Sequence, residues 1–467
     1  MTPRRSLHAL ALFVVVLLAL APAADAAKPF RVPGCLAGDL APAASEGVLV
    51  RLCEDPESNS TGVGLGTLLP SGQITRRTVP ENAEGPFAAG PAGEVWGVAG
   101  AGQGGLELDR IAADGTVTRF PLGTPQERNT LEVYGLVPDG EGAVWVADGE
   151  LAPELYGHPY DSLGGELMHV AADGTVVRFP VPEHVEPHGL VRGPDGNLWF
   201  TGESRRAASE HVTYLGKGYV GRMTPTGEFA LFPTATEQSA PGGIAVGSDG
   251  RLWFAETSNR VREVATIGTN GTFGPSLKVR DGYLLGPLAI GPEGDAWLPI
   301  FGAMMRITSQ GQQTVFPARE IQGVVVGAEG DIWTRQAKGV ERIVPGAPGI
   351  DTWKIEADRS SKTIRVQLAC GGSEGGCEGT LDLSLPEGRG TKPGVRLARA
   401  HYSVPAESQR ELPLSLPAKA FALAHRLRPK RAGSHYVAPV VVHATVAGGP
   451  TLERRIQVPG LAGPAVA

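Results

Sequence analysis

Glu186-Pro187-His188-Gly189 sets a carboxylate two residues from an imidazole, the residue types of general acid–base chemistry. Glu132, Glu203, Glu256, Glu320 and Asp148 recur at related offsets along the chain, and Tyr134 occupies the place of His188 one unit earlier. A phenol is a poor base at neutral pH, so Tyr134 is expected to hydrogen-bond a substrate. Other chemistries are excluded. No Gly-x-Ser-x-Gly elbow accompanies the serines, which argues against a serine hydrolase. No Cys-x-x-Cys occurs, which argues against zinc ribbons and thioredoxin-like redox work. A formal charge of −7 is the wrong sign for a nucleic-acid coat.

These residues sit in a repeat. A glycine, two turn residues and a second glycine lead into a short strand ending at tryptophan. The phrase runs Gly90 to Trp96, Gly193 to Trp199, Gly247 to Trp253, Gly291 to Trp297 and Gly327 to Trp333, with a longer copy from Pro138 to Trp145 and a degenerate one at Gly47 to Val50. The spacings from Val50 through Trp333 are 46, 49, 54, 54, 44 and 36 residues. That period suits one four-stranded propeller blade per copy, seven in all. A second phrase alternates with the first: strand, Asp-Gly or Thr-Gly turn, strand ending in Phe-Pro, as in Met168 to Pro180 and Gly221 to Pro233. Such turns supply the positive φ of tight hairpins. The tryptophans are expected to pack between blades. Phe30-Arg31-Val32-Pro33 resembles the outer-strand phrase, and the last blade lacks an outer strand of its own. The N-terminal strand is therefore expected to complete that blade and close the ring.

In a ring of this kind the start of each innermost strand A, the end of strand B and the B–C connection share one face. Residues aligned at the channel mouth are Phe87, Tyr134, His188, Gly242, Leu288 and Gln322; Glu132, Glu186 and Glu320 lie two residues earlier in their units. Strand B delivers Asp148, Glu203 and Glu256 to the same face, and two long B–C connections carry His158, Tyr160, His211 and Tyr214. Long loops on one face of a rigid ring are where ligand contacts concentrate.

Glu186-Pro187-His188-Gly189-Leu190, followed by Gly193-Pro-Asp-Gly-Asn-Leu-Trp-Phe200, resembles the streptogramin lyases, and Tyr219-Val-Gly-Arg-Met-Thr-Pro225 echoes another phrase of that family. The resemblance covers roughly residues 34–345. It implies a seven-bladed propeller that opens cyclic depsipeptides by elimination, with magnesium at the mouth. Matched by motif, His188 is the general base and Glu186 a magnesium ligand. Glu203 is a second carboxylate ligand, about one residue out of register, and carboxylates suit that hard cation. The family's second Pro-His pair is missing, since the flanking blades offer Tyr134 and Gly242. The ligand pattern of gluconolactonases, a second propeller family, is not recognisable.

The ends complete the plan: a signal peptide over 1–26, a propeller over 27–345, a linker over 346–350, a β-sandwich over 351–459 and a flexible tail over 460–467. The first segment has a basic start at Arg4 and Arg5, an apolar run from Ala9 to Ala21 and the small-x-small site Ala24-Asp25-Ala26, which implies secretion. No other stretch is long and apolar enough to span a bilayer. Cys35, Cys53, Cys370 and Cys377 allow three pairings; Cys35–Cys53 and Cys370–Cys377 are the natural ones in an oxidising compartment. Alternating strands from Thr363 to Val458, with a short helix near Lys419 to Leu427, suggest an immunoglobulin-like sandwich similar to C-terminal modules of exported actinobacterial proteins. The fold class is all-β. Two functions follow: a magnesium-assisted lyase acting on a cyclic ester or depsipeptide, or a non-enzymatic extracellular propeller binding a peptide, glycan or protein. Either is expected to be a monomer.

Overall fold

A computed structural model describes residues 27–459 apart from short connecting segments, the longest being 54–63, 152–161 and 386–394. The signal-peptide segment, His158, Tyr160 and His211 lie outside the described residues, as does most of the stretch 419–427.

Seven antiparallel sheets are built on four-strand blades, with strands A to D paired in that order. Blade 2 runs Ala83–Ala89, Val95–Gly100, Leu106–Ile111 and Val117–Gly123 as strands A to D. Blade 3 runs Thr130–Pro138, Val144–Leu151, Ser162–Val170 and Val176–Pro180. Blade 4 runs Glu186–Arg192, Leu198–Glu203, Gly218–Met223 and Phe229–Pro233. Blade 5 opens with Ser239–Val246 and Leu252–Ser258, blade 6 with Ala289–Ile290 and Ala296–Ile300. Each strand A lies beside strand A of the next blade, and the series returns from blade 7, Ile321–Val326, to Ala41–Pro42 of blade 1. The ring is closed. Strand D of blade 7 is Ala27–Phe30, paired with Gly339–Ile343 so that Ala27 faces Ile343 and Phe30 faces Val340. The closing strand thus begins three residues ahead of the Phe30-Arg31-Val32-Pro33 phrase.

The tryptophans form the belt between blades. Trp96 packs with Val144, Val146 and Met168 of blade 3, Trp199 with Leu252 and Phe254 of blade 5, and Trp333 with Val48, Val50 and Leu68 of blade 1. The glycines of the repeated phrase make this possible. A Cβ on Gly193 would sit 2.5 Å from Trp199 Cδ1, and Gly196 turns at φ +77°. An arginine of strand C lies over the indole in blades 2, 4, 6 and 7, with Arg110, Arg222, Arg306 and Arg342 each within 5.9 Å of the ring centroid.

Beyond the ring, a three-stranded sheet of Gly349–Asp358, Thr363–Gly371 and Gln409–Ser415 shares one core with a five-stranded sheet centred on Cys377–Ser384 and His435–Val446. Cys370 and Cys377 form a disulfide, with Cα atoms 5.6 Å apart. In blade 1 the backbone sets Cys35 opposite Cys53; those two side chains lie outside the described residues. No described helix is long and apolar enough to cross a membrane.

Candidate active site at the channel mouth

Strand A does not enter its blade smoothly. The register with strand B slips between Val133 and Gly135, between Pro187 and Leu190, between Pro241 and Ile244, and between Ile321 and Gly323. A bulge leaves a residue out of the ladder and re-aims its side chain. The residues so released are Tyr134, His188 with Gly189, and Gly242 with Gly243; in blade 7 the backbone register skips Gln322. Phe87 and Leu288 are not among them. Phe87 pairs with Gly97 and is buried in the core, and Leu288 packs in the cluster of Trp253. Both lie nine residues before their tryptophan, whereas the released residues lie eleven before theirs. Blade 2 therefore offers Gly85 to the mouth.

Tyr134, Glu186 and His188 come together. The Tyr134 hydroxyl donates to Glu186 Oε1 and lies 3.1 Å from Glu132 Oε2. His188 Nε2 is 3.8 Å from the same Glu186 oxygen, too far for a hydrogen bond and close enough for an ion pair when the ring is protonated. The Tyr134 and His188 rings meet at 5.1 Å between centroids. Glu186 is fully buried and the His188 side chain is 20% exposed, so of the two the imidazole is the accessible group. Burial, then the hydrogen bond to Glu186, pushes the Tyr134 phenol well above its ordinary value. Tyr134 therefore stays a donor, and its proton is directed at Glu186. Gly149 makes the contact possible, since a Cβ there would sit 2.8 Å from both Glu186 Cγ and Tyr134 Cε2. The sequence pattern marks strand B of blade 3 but does not reveal that its glycine clears space for a neighbour's carboxylate.

On the other side of His188, the Gly189 N–H donates to Thr201 Oγ1 at 3.1 Å, and the Thr201 hydroxyl donates to the Gly242 carbonyl of blade 5. Buried Thr201 thus ties the bulges of blades 4 and 5 together. The approach is tight: a Cβ on Gly189 would lie 3.1 Å from the Ile244 nitrogen.

Glu203 is the register partner of Glu186 and is almost fully buried. Side chains alternate along a strand, so Glu203 shares the face of Trp199 and Thr201, which is turned to blade 5. The Glu186 carboxylate reaches Tyr134 and Gly149 of blade 3. Asp148 and Glu256, three residues after their tryptophans, face Val133 and Pro241. Burial raises the Glu256 carboxyl above its ordinary value, against Ser239 and Thr234 hydroxyls that pull it down. A hard cation takes about six oxygen ligands. Among the described residues no group of three or more His, Cys, Asp or Glu side chains is arranged to hold a metal ion. Glu186 and Glu203 are only two carboxylates, short of such a set by themselves, and no step below runs through a metal. The B–C connection of blade 4 folds into a hairpin of its own, Arg206–Ser209 with Val212–Tyr214.

Seven blades in a closed ring give the chain a propeller fold similar to that of the streptogramin lyases. Among curated proteins, virginiamycin B lyase of Nocardia farcinica (strain IFM 10152) is 30% identical over 25% of this chain and 52% of its own length, so the match spans about half of that relative. A solved streptogramin B lyase superimposes with a TM-score of 0.51 at 19% identity, over 68% of this chain and 96% of that one. A catalytically inactive virginiamycin B lyase variant from Staphylococcus aureus, solved with quinupristin, gives 0.50 at 20% identity, over 68% and 98%. At these identities the structural likeness speaks for the fold alone. No family model matches the chain.

Proposed function

We propose that this protein is an exported carbon–oxygen lyase that opens a cyclic ester or depsipeptide by elimination. The observation that carries the reading is the meeting of Tyr134, Glu186 and partly exposed His188 at the bulged starts of two neighbouring blades. His188 takes the proton from the carbon α to a carbonyl. The freed electron pair forms a double bond to the β-carbon, the bond from that carbon to the ester oxygen breaks, and a carboxylate leaves. Glu186 lies beside the imidazole and stabilises the imidazolium that forms, and Tyr134 holds Glu186 in place. The likeness to virginiamycin B lyase supports the substrate class.

Quinupristin, the compound in the relative's structure, is the first substrate to test. Elimination gives a linear product of unchanged mass, whereas hydrolysis adds one water. Turnover without mass gain that disappears in His188→Ala supports the lyase. No turnover of quinupristin or other cyclic esters points to the second reading, a non-enzymatic extracellular propeller. Gly242 at the mouth of blade 5, where a second histidine is expected of the family, favours that alternative. Calorimetry with magnesium and a Glu186→Gln control tests the remaining expectation of the resemblance. Glu186-dependent binding would bring a metal into the mechanism, and no heat at millimolar magnesium would leave the chemistry to the side chains.

A further inference from the structure

Only four non-glycine residues among those described have positive φ: Glu183 at 59°, His184 at 54°, Gln238 at 56° and Lys362 at 53°. Three of them lie in the D–A connections that lead into strands A of blades 4 and 5. The left-handed region is unfavourable for residues with a Cβ and persists where surrounding contacts enforce it. Glu183 and His184 occupy it consecutively, and Glu186 follows two residues later.

The contacts that hold this turn are visible. Pro182 opens it, and the Val185 N–H closes it onto the Pro182 carbonyl at 3.3 Å. From blade 3, Gly164 approaches so closely that a Cβ there would lie 3.1 Å from His184 Cα. From blade 4, the Tyr219 hydroxyl donates to Glu183 Oε2 at 2.9 Å. Tyr219 sits on strand C next to Gly218, the partner of Glu203, and its ring belongs to the buried cluster of Val181 and Val185. Tyr219 is thus buried in that cluster, while Glu183 is exposed.

We propose that Tyr219 and Glu183 clamp the D–A connection of blade 4 and are positioning residues for Glu186 and His188. The proposal rests on the lyase reading only for its consequence in catalysis. The clamp fixes the left-handed pair, the pair sets the angle at which strand A enters, and that angle sets where the bulge delivers His188. Tyr219→Phe removes the donor with little change in packing, and Glu183→Ala removes the acceptor. Glu183→Gln keeps an acceptor oxygen.

Amide hydrogen exchange of the peptide covering residues 182–190 is the direct test. Protection there is expected to fall about tenfold in Tyr219→Phe and in Glu183→Ala, with peptides of blades 6 and 7 unchanged. Glu183→Gln is expected to keep most of the protection, and the Tyr219→Phe/Glu183→Ala double variant to lose no more than either single one. On quinupristin, the same two variants are expected to lose about tenfold in kcat with KM little changed, because a displaced base spoils the reacting geometry more than binding. Unchanged exchange in Tyr219→Phe, or additive losses in the double variant, overturns the clamp. Failure of the wild-type protein to turn over quinupristin or any other cyclic ester overturns the lyase reading and leaves the exchange measurement to decide the clamp. If Tyr219→Phe does not unfold cooperatively, the Glu183→Ala and Glu183→Gln pair carries the same test without touching the core.

Discussion

The tryptophan belt and the channel mouth use the same seven-fold backbone in opposite ways. In the belt blades 2 to 7 repeat one solution: a glycine turn, an indole against the next blade and, in four of them, an arginine over the indole. At the mouth the bulged position repeats but its residue changes, from Tyr134 to His188 to Gly242. Repetition marks what holds the ring together. Variation on an unchanged backbone marks where the ring does something. Substitutions in the two regions should therefore act on different observables.

The largest effect is expected in the belt. Trp199 is fully buried between blades 4 and 5. Trp199→Ala should lower unfolding stability by about 3–5 kcal/mol, read from the denaturant midpoint at constant slope. A change below about 1 kcal/mol would mean that the blades do not unfold as one unit. The mouth should respond the other way. His188→Ala should leave the midpoint within about 0.5 kcal/mol, since no core packing is lost. On a substrate it turns over, it should reduce kcat at least about a hundredfold, the lower end of general-base contributions. A large stability loss in His188→Ala would erase the distinction between belt and mouth.

Glu256 sharpens the comparison because it is buried at the mouth without belonging to the Tyr–Glu–His group. Its folded carboxyl titrates above the unfolded one, chiefly through burial. As pH rises through the ordinary carboxylate range, the unfolded chain gives up its proton first. Folding stability therefore falls with pH until the folded group ionises, and stays lower above that point. Glu256→Gln should flatten this part of the stability profile between acid and neutral pH. An unchanged slope would show that water or the hydroxyls of Ser239 and Thr234 already satisfy the charge.

Much of the ring is legible in the sequence because its signals are local. Turn glycines, tryptophan spacing and Phe-Pro strand ends each lie within a dozen residues, so blade number, strand order and N-terminal closure follow from them. The Glu186–His188 pair is local too. What the sequence leaves open is the direction of side chains at the strand starts. One bulge exchanges faces, so Phe87 and Leu288 align plausibly with His188 and yet pack in the core. Tyr134 to Glu186 is a contact between blades, as is Thr201 to Gly242. Neither spacing nor periodicity encodes which way a bulge turns.

The smallest effect expected lies in the belt and tests whether its repetition is complete. Trp199 Nε1–H donates to Asp195 Oδ1 at 3.0 Å, and Asn197 Nδ2 donates to the other oxygen of that carboxylate at 2.7 Å. Trp333 has Glu329 in the same role. Blade 2 carries Ala92 where blade 4 has Asp195, and the buried Trp96 Nε1 finds no hydrogen-bond partner among the described residues. The neighbouring Glu94 turns inward instead, so that a Cβ on Gly90 would lie 2.0 Å from its Oε1. Ala92→Asp alone would place a second carboxylate beside Glu94 and should gain little. Ala92→Asp with Glu94→Asn rebuilds the blade 4 arrangement and should raise stability by about 1 kcal/mol, the net worth of a buried hydrogen bond. The mirror variant Asp195→Ala should lose about 1–3 kcal/mol by leaving the Trp199 N–H unsatisfied. If the double variant gains nothing while Asp195→Ala still loses, water reaches Trp96, and the belt is open to solvent at blade 2.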